Sequence, residues 1–299
     1  MLLGDYFRNI KNNHKKIFFS DISFNSNQIK KDNIFFAIKG NKIDGNNFIL
    51  SAIKNGAKII VTEKKKYGLK NGILFIQSTN IRKLLAEISF KIYKKIPKNI
   101  IAVTGTNGKS SIADFYYQIL NLNNQKVASI GTLGVKSNNF KINLLNTTID
   151  PIRLSKILTY LKKQNVNNVI MEASSHGLKQ NRLDGLLFNT GIFTNLSQDH
   201  LDYHKNLKNY LNSKLYLFKY LIKKRGNVIT DKEISEFHKI KNLTLRKNLN
   251  LYLLSDKKNK FEFLSHEFKD EVQILKIKYD NLIHKINLNL IGKIQLKNI

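Results

Sequence analysis

Apolar positions in the first stretch of this chain mix short continuous runs with helical spacings, and from Ile100 onward strand and helix patterns alternate, which suggests two parts. In the first part, Ile34-Phe35-Phe36-Ala37-Ile38 is a continuous apolar run closed by Lys39-Gly40, which predicts a buried strand. Phe48, Ile49, Ala52 and Ile53 recur at helical spacing within 46–55, and 57–61 and 72–76 predict two more strands. Ile81, Leu84, Leu85, Ile88 and Ile92 give an apolar face to a helix over 81–94, which stops before Pro97. A domain break is expected near 95–99.

From Ile100 onward strands and helices alternate, the pattern of a parallel sheet with crossover helices. Residues 100–103 predict a strand, and Ile112, Phe115, Tyr116, Ile119 and Leu120 form one face of the helix that follows. Leu154, Ile157, Leu158 and Leu161 mark another helix, while 168–171 and 191–194 predict short buried strands with polar residues at their C-terminal ends. In open α/β sheets, ligands sit at that end. A helix over about 206–222 places Leu207, Leu211, Phe218 and Leu221 on one face. Beyond it the signals weaken to strands at 250–254 and 272–277 and a clean alternation over 286–291. The fold class is therefore α/β: a small N-terminal α/β domain over 1–97, then a P-loop-type, mostly parallel sheet domain over 98–299.

Composition fits that picture. A chain of 299 residues suits two domains, and 42% hydrophobic residues suffice for packed cores. With no cysteine there is neither a disulfide framework nor a thiolate metal site. No apolar run approaches the ~20 residues of a membrane helix, and the first residues carry no signal peptide. A soluble, cytoplasmic protein with no membrane insertion is expected. The net charge of +30 is mostly lysine spread along the whole chain, with no basic helix or nucleic-acid motif, so no nucleic-acid partner is expected.

The candidate chemistry begins at Ile101-Ala102-Val103-Thr104-Gly105-Thr106-Asn107-Gly108-Lys109-Ser110-Ser111. Gly105 and Gly108 allow a tight turn and close approach to phosphate oxygens. Lys109 is placed to meet the terminal phosphates of ATP, and the Ser110 hydroxyl to hold Mg²⁺. The loop is shorter than the common phosphate loop, with Val103 where its first glycine would stand. Glu172 follows the strand at 168–171, suited either to a hard cation or to the plain role of a charge at a helix start. Asp199, His200, Asp202 and His204 crowd the segment after the strand at 191–194. Lys214 falls in the apolar stripe of the 206–222 helix. There it is either desolvated, which favours its neutral amine, or extends its stem to the surface. A neutral amine can take up CO₂ as a carbamate and become an anionic metal ligand.

Gly105-Thr106-Asn107-Gly108-Lys109 followed by Ser110 and Ser111 resembles the loop of the Mur ligases and folylpolyglutamate synthetases, which join an amino acid to a carboxylate through an acyl phosphate. Three segments resemble the MurE type of Mur ligase in particular. They are Asn146-Thr147-Thr148 with Asp150-Pro151; Met171-Glu172-Ala173-Ser174-Ser175-His176-Gly177-Leu178 with Gln180 and Arg182; and Asn195-Leu196-Ser197-Gln198-Asp199-His200-Leu201-Asp202-Tyr203-His204.

The resemblance covers essentially the whole chain and implies an ATP-dependent amide ligase of peptidoglycan synthesis. Such an enzyme adds a diamino acid, meso-diaminopimelate in preference to L-lysine, to UDP-N-acetylmuramoyl-L-alanyl-D-glutamate. It implies that Lys109, Glu172, His200 and a carbamylated Lys214 are catalytic, with Ser110, Glu172, His200 and Lys214 around magnesium. Residues 105–111 and Asn298 are the expected ATP contacts. Phe24, Ser26, Asn41, Lys42, Ile43, Asn146, Thr147, Thr148, Ser174, Gln180 and Arg182 are the expected contacts of the UDP-muramoyl dipeptide. Asn25 and Asn27 stand where that family carries charged residues around the serine matched by Ser26. A monomer is expected, with the family's third, Rossmann-like domain absent. The alternatives are a nucleotide-binding module that does not ligate and a folylpolyglutamate-synthetase-like ligase.

Overall fold

The computed structural model describes residues 1–8, 10–40, 43–138, 140–254, 261–269 and 272–288. They form an α/β protein whose two large sheets are predominantly parallel and divide between two compact units. One unit comprises Met1–Ile96 with Ile149–Tyr160 and Gln180–Leu186; the other comprises Pro97–Thr148, Leu161–Lys179 and the chain from Leu187 onward.

The first unit is built on strands β1 (Ile22–Ser23), β2 (Asn33–Phe36), β3 (Ala57–Thr62), β4 (Gly68–Lys70) and β5 (Ile73–Gln77), in the order β1-β2-β3-β5-β4. Only β4 pairs antiparallel. Alternate strand residues face opposite layers. Ile34, Phe36, Ile59 and Val61 pack with Ile81, Leu85 and Ile88 of helix α2 (Ile81–Ile92), while Phe35, Ile60 and Phe75 pack with Ala52 of helix α1 (Ile49–Lys54). The helical spacing at 46–55 resolves into a short 3-10 turn (Gly45–Phe48) and α1. Asn80 caps α2 by accepting from the Lys83 backbone N–H at 3.0 Å.

The second unit has an eight-stranded sheet of β6 (Asn99–Thr104), β7 (Val127–Gly131), β8 (Gly134–Ser137), β9 (Phe140–Ile142), β10 (Asn168–Glu172), β11 (Phe188–Phe193), β12 (Ile222–Thr230) and β13 (Asn250–Leu253). Its order is β13-β12-β11-β6-β10-β7-β8-β9, parallel except for β8 and β9. Its helices are α3 (Lys109–Leu122), α5 (Ser175–Lys179), α6 (Leu201–His204), α7 (Leu207–Tyr216) and α8 (Phe237–Lys247), and α4 (Pro151–Lys163) spans both units. An antiparallel trio, β14 (Phe261–Lys269), β15 (Val272–Tyr279) and β16 (Leu282–Leu288), follows in the chain.

The strand order matters for the site. β6 lies between β11 and β10, with β7 beyond β10, so the C-terminal ends of four parallel strands lie side by side. The register levels them: Glu172 pairs with Val103, and Phe193 with Thr104.

Two expectations change. The helix over 206–222 is not continuous: α7 ends at Tyr216, a π-helical turn (Leu217–Leu221) follows, and β12 starts at once. Leu207, at the first turn, is exposed rather than in the buried stripe. β7 and β8 were not anticipated from sequence, because Val127-Ala128-Ser129-Ile130 mixes small and polar residues into a short run. All four are nonetheless buried. No helix among the described residues is long and apolar enough to cross a membrane.

Candidate functional site

The loop after β6 is held in shape from the neighbouring strand. Thr194 N–H donates to Thr104 O at 3.0 Å and its hydroxyl to Asn107 O at 2.6 Å. Asn195 accepts from the Thr106 N–H on its backbone oxygen (2.9 Å) and from the Asn107 N–H on Oδ1 (3.0 Å). Gly105 is required by closeness, since a Cβ there would collide with Thr194 Oγ1. Gly108 is left-handed at φ 85° and is the residue from which α3 starts. Lys109, the first residue of α3, folds back onto the loop, donating to Gly105 O at 3.0 Å and Thr106 O at 2.6 Å. Burial lowers its pKa, against the opposing pull of Glu172 and Asp199.

On the other side of β6, Glu172 is 3% exposed at the end of β10. It accepts from Ser110 Oγ (3.0 Å), the Thr132 N–H (2.8 Å) and Thr132 Oγ1 (3.2 Å). Gly131 leaves room for it, because a Cβ there would collide with the carboxylate. Thr132 Oγ1 meets Thr147 Oγ1 at 3.0 Å, and Thr148 Oγ1 donates to Glu172 O at 3.0 Å while accepting from the Ser174 N–H at 2.9 Å. The 146–148 segment and the run after β10 thus form one network with the phosphate-loop serine.

Lys214 is 1% exposed, so of the two readings of its place in the helix the desolvated one is right. Its Nζ donates to Gly105 O at 2.6 Å and lies 4.2 Å from the centre of the Tyr210 ring. Burial, then the Lys109 charge, pushes its pKa down to about 7, with Asp199 opposing. The Tyr210 hydroxyl is 3.3 Å from Thr106 Oγ1.

The histidines form a cluster. His200 is half exposed, 3.4 Å from Asp199, with its ring 4.8 Å from that of His176. His204 is fully buried between Ser175 and Ser213.

The donor set fits a hard cation held largely by a bound phosphate: the Ser110 hydroxyl and the Glu172 carboxylate are oxygen ligands 3.0 Å apart beside a glycine loop and a lysine. Among the described residues, no group of three or more His, Cys, Asp or Glu could hold an ion by itself. The structure thus brings Ser110 to Glu172 and Lys214 to Lys109, while His200 packs on His176 and Tyr210. Ser111 follows in the first turn of α3.

Of the expected dipeptide contacts, Asn146, Thr147, Thr148 and Ser174 lie in this unit, and Ser174 Oγ accepts from the Gly177 N–H at 3.1 Å at the start of α5. The other unit holds Phe24, Ser26, Ile43, Gln180 and Arg182. There Ser26 is buried, Phe24 and Ile43 are exposed, and Arg182 donates to Gln180 Oε1 at 2.8 and 3.1 Å. Asn41, Lys42 and Asn298 lie outside the described residues. Thr132, Thr194, Asn195 and Tyr210 carry much of the geometry without having been singled out. Polar residues at the C-terminal end of the strand predicted at 191–194 were the available signal for Thr194 and Asn195.

Comparison with known proteins agrees with this architecture. The Mur ligase middle domain matches residues 103–299, and the domain described as Mur ligase family, catalytic domain, matches 19–98. A UDP-N-acetylmuramoyl-L-alanyl-D-glutamate--2,6-diaminopimelate ligase of Rickettsia prowazekii (strain Madrid E) is 36% identical over 293 residues, covering 93% of this chain and 58% of that protein. A protein of the same name from Wigglesworthia glossinidia brevipalpis is 44% identical over 222 residues, covering 69% of this chain and 45% of its own length. The chain therefore spans about half the length of these relatives. A solved structure of a UDP-N-acetylmuramoyl-L-alanyl-D-glutamate--2,6-diaminopimelate ligase shares the fold, with a TM-score of 0.85 at 23% identity over 100% of this chain and 61% of that one. On the strength of the middle-domain match and these relatives, the chain belongs to the Mur ligase family.

Proposed function

We propose that this chain carries the ATP and UDP-muramoyl dipeptide sites of an ATP-dependent amide ligase, one that adds meso-diaminopimelate to UDP-N-acetylmuramoyl-L-alanyl-D-glutamate in peptidoglycan synthesis. The observation that carries the reading is the contact of Ser110 with Glu172 beside Lys109, at the ends of β6 and β10. The names and identities of the relatives support the substrate class. On this reading the protein works in the cytoplasm as a monomer.

The D-glutamyl carboxylate takes the γ-phosphoryl group to become an acyl phosphate, and the incoming amine attacks it to give the amide, ADP and phosphate. In this scheme Lys109 leaves its loop carbonyls for the phosphates, which sit at the N-terminal start of α3. Magnesium, when bound, neutralises charge on the phosphate oxygens. Ser110 and Glu172 hold it from this chain, with His200 and Lys214 as further ligands. A pKa of about 7 leaves a substantial share of the Lys214 amine neutral near pH 7. Its lone pair adds to CO₂ and a proton leaves, giving an anionic carbamate. Asn146, Thr147, Thr148, Ser174, Gln180, Arg182, Ser26, Phe24, Asn41, Lys42 and Ile43 contact the UDP-muramoyl dipeptide, and Asn298 the adenine.

Calorimetry of the chain with UDP-N-acetylmuramoyl-L-alanyl-D-glutamate and with Mg·ATP tests the assignment. Both should bind, and Lys109→Ala should lose the nucleotide alone. A chain that ignores the dipeptide but binds dihydrofolate belongs with the folylpolyglutamate-synthetase-like ligases. Mass spectrometry after incubation with meso-diaminopimelate or L-lysine then reads whether the chain ligates by itself, and which amine it takes.

A further inference from the structure

His204 is fully buried, yet both of its ring nitrogens are engaged. Nε2 lies 3.0 Å from Ser175 Oγ and Nδ1 lies 3.2 Å from Ser213 Oγ. The proton positions follow from the neighbours. Ser213 Oγ donates to Asn209 O at 2.8 Å, so its hydroxyl hydrogen is already committed and it can only accept from the ring. Nδ1 therefore carries the hydrogen, Nε2 is bare, and the Ser175 hydroxyl donates to it. The result is a one-way chain from Ser175 through His204 and Ser213 to the Asn209 carbonyl, the arrangement in which each bond polarises the next.

A neutral ring is what this chain requires, and the surroundings enforce it. Burial, then the charges of Lys179, His176, Lys214 and His200, push the His204 pKa down to about 4. The backbone is anchored as well, since Asn209 Nδ2 donates to His204 O at 3.1 Å. On either side, His200 (φ 52°) and Lys205 (φ 71°) are non-glycine residues in positive φ, so α6 is a strained turn held by its contacts.

The two serines stand beside the site. Ser175 opens α5, three residues after Glu172, and Ser213 precedes Lys214 on α7. We propose that His204 is a positioning residue: by bridging Ser175 to Ser213 it fixes α7 against the segment after β10 and keeps Lys214 on the Gly105 carbonyl. This deepens and rests on the site assigned above to Lys109 and Lys214. Its test reads the loop rather than turnover, so failure of the ligase reading would leave the result interpretable.

Hydrogen exchange of the whole chain, in CO₂-depleted buffer well below its unfolding temperature, follows the Thr106 and Asn107 amides. Both are bonded to Asn195, at 2.9 and 3.0 Å. Lys214→Met, which removes the tether, should speed their exchange about tenfold, the scale of one hydrogen bond. His204→Leu should do the same, while His204→Gln, which retains a donor and an acceptor, should stay near the wild-type rate. A residue that merely packs α5 on α7 would change exchange in those helices and leave the loop alone. Wild-type loop exchange in His204→Leu, or in Lys214→Met, overturns the proposal. Should His204→Leu fail to fold, Ser213→Ala is read on the same amides, and a wild-type rate there overturns it equally.

Discussion

Lys109 and Lys214 donate to one acceptor, the carbonyl oxygen of Gly105, at 3.0 and 2.6 Å. One lysine comes from the loop's own helix and the other from α7, more than a hundred residues later in the chain. Two ammonium groups on a single carbonyl, one buried and one partly buried, repel each other, and that repulsion adds to the desolvation of Lys214. The same closeness that ties α7 to the loop therefore makes Lys214 the amine readier to lose its proton.

Stability should consequently rise with pH between about 7 and the ordinary lysine value of 10.5. In that window the unfolded chain keeps a proton on Lys214 that the folded chain has released. Below pH 7 both states hold it, and the full cost of the buried charge remains. Lys214→Met should therefore be more stable than the parent at pH 7, with the gap narrowing towards pH 10 by at most ~1.4 kcal/mol per pH unit. Urea denaturation in CO₂-free buffer at several pH values measures it, and a constant gap would contradict the shift.

Glu172→Gln keeps the shape and an acceptor for the Thr132 N–H but removes the negative charge. Nucleotide binding without metal should change little. The strengthening of that binding by added Mg²⁺ should shrink about tenfold, since charge count dominates hard-cation affinity. Titrations of ADP with and without Mg²⁺ give the ratio.

Gly105→Ala places a Cβ on Thr194 Oγ1, so the loop or the start of the 194–195 segment must move. The clamp on Thr106 and Asn107 should loosen, and nucleotide affinity should fall at least about tenfold. The expected loss of stability is ~1–3 kcal/mol, the range for a strained backbone site. Paired nucleotide titrations and thermal melts of variant and parent separate the two effects.

Acid should find its weak point at His204. Its folded value of about 4 lies below the ordinary 6.5, so the unfolded chain takes up a proton first as pH falls. Stability held above pH 6.5 is lost progressively down to about 4. His204→Gln should flatten that part of the curve, as read by denaturant midpoints at pH 7, 6, 5 and 4.

Much of this site can be read along the chain, because its parts sit in contiguous runs. Gly105 to Ser111 carry their chemistry in order, and Lys214 betrays itself as a charge in an apolar stripe. What escapes is anything whose role depends on a strand neighbour. The hold of Thr194 and Asn195 on the glycine loop is invisible until β11 is seen to lie beside β6. Thr132 is silent until β7 is recognised as a strand next to β10. The π-helical turn at 217–221 also left no mark, because an apolar face at helical spacing does not distinguish i+4 from i+5 hydrogen bonding.

By itself, the sequence determined the α/β class, the glycine loop between strand and helix, and the family resemblance, since each rests on residue type and local spacing. Tertiary structure alone decided that Glu172 faces Ser110, that Lys214 reaches Gly105, and that His204 is buried with both ring nitrogens in hydrogen-bond reach of a serine. Those facts depend on the order β11-β6-β10-β7 and on how deeply each group is withdrawn from water. Strand order is set by which pairings bury the most apolar surface across the whole sheet, and spacing along one chain does not encode it.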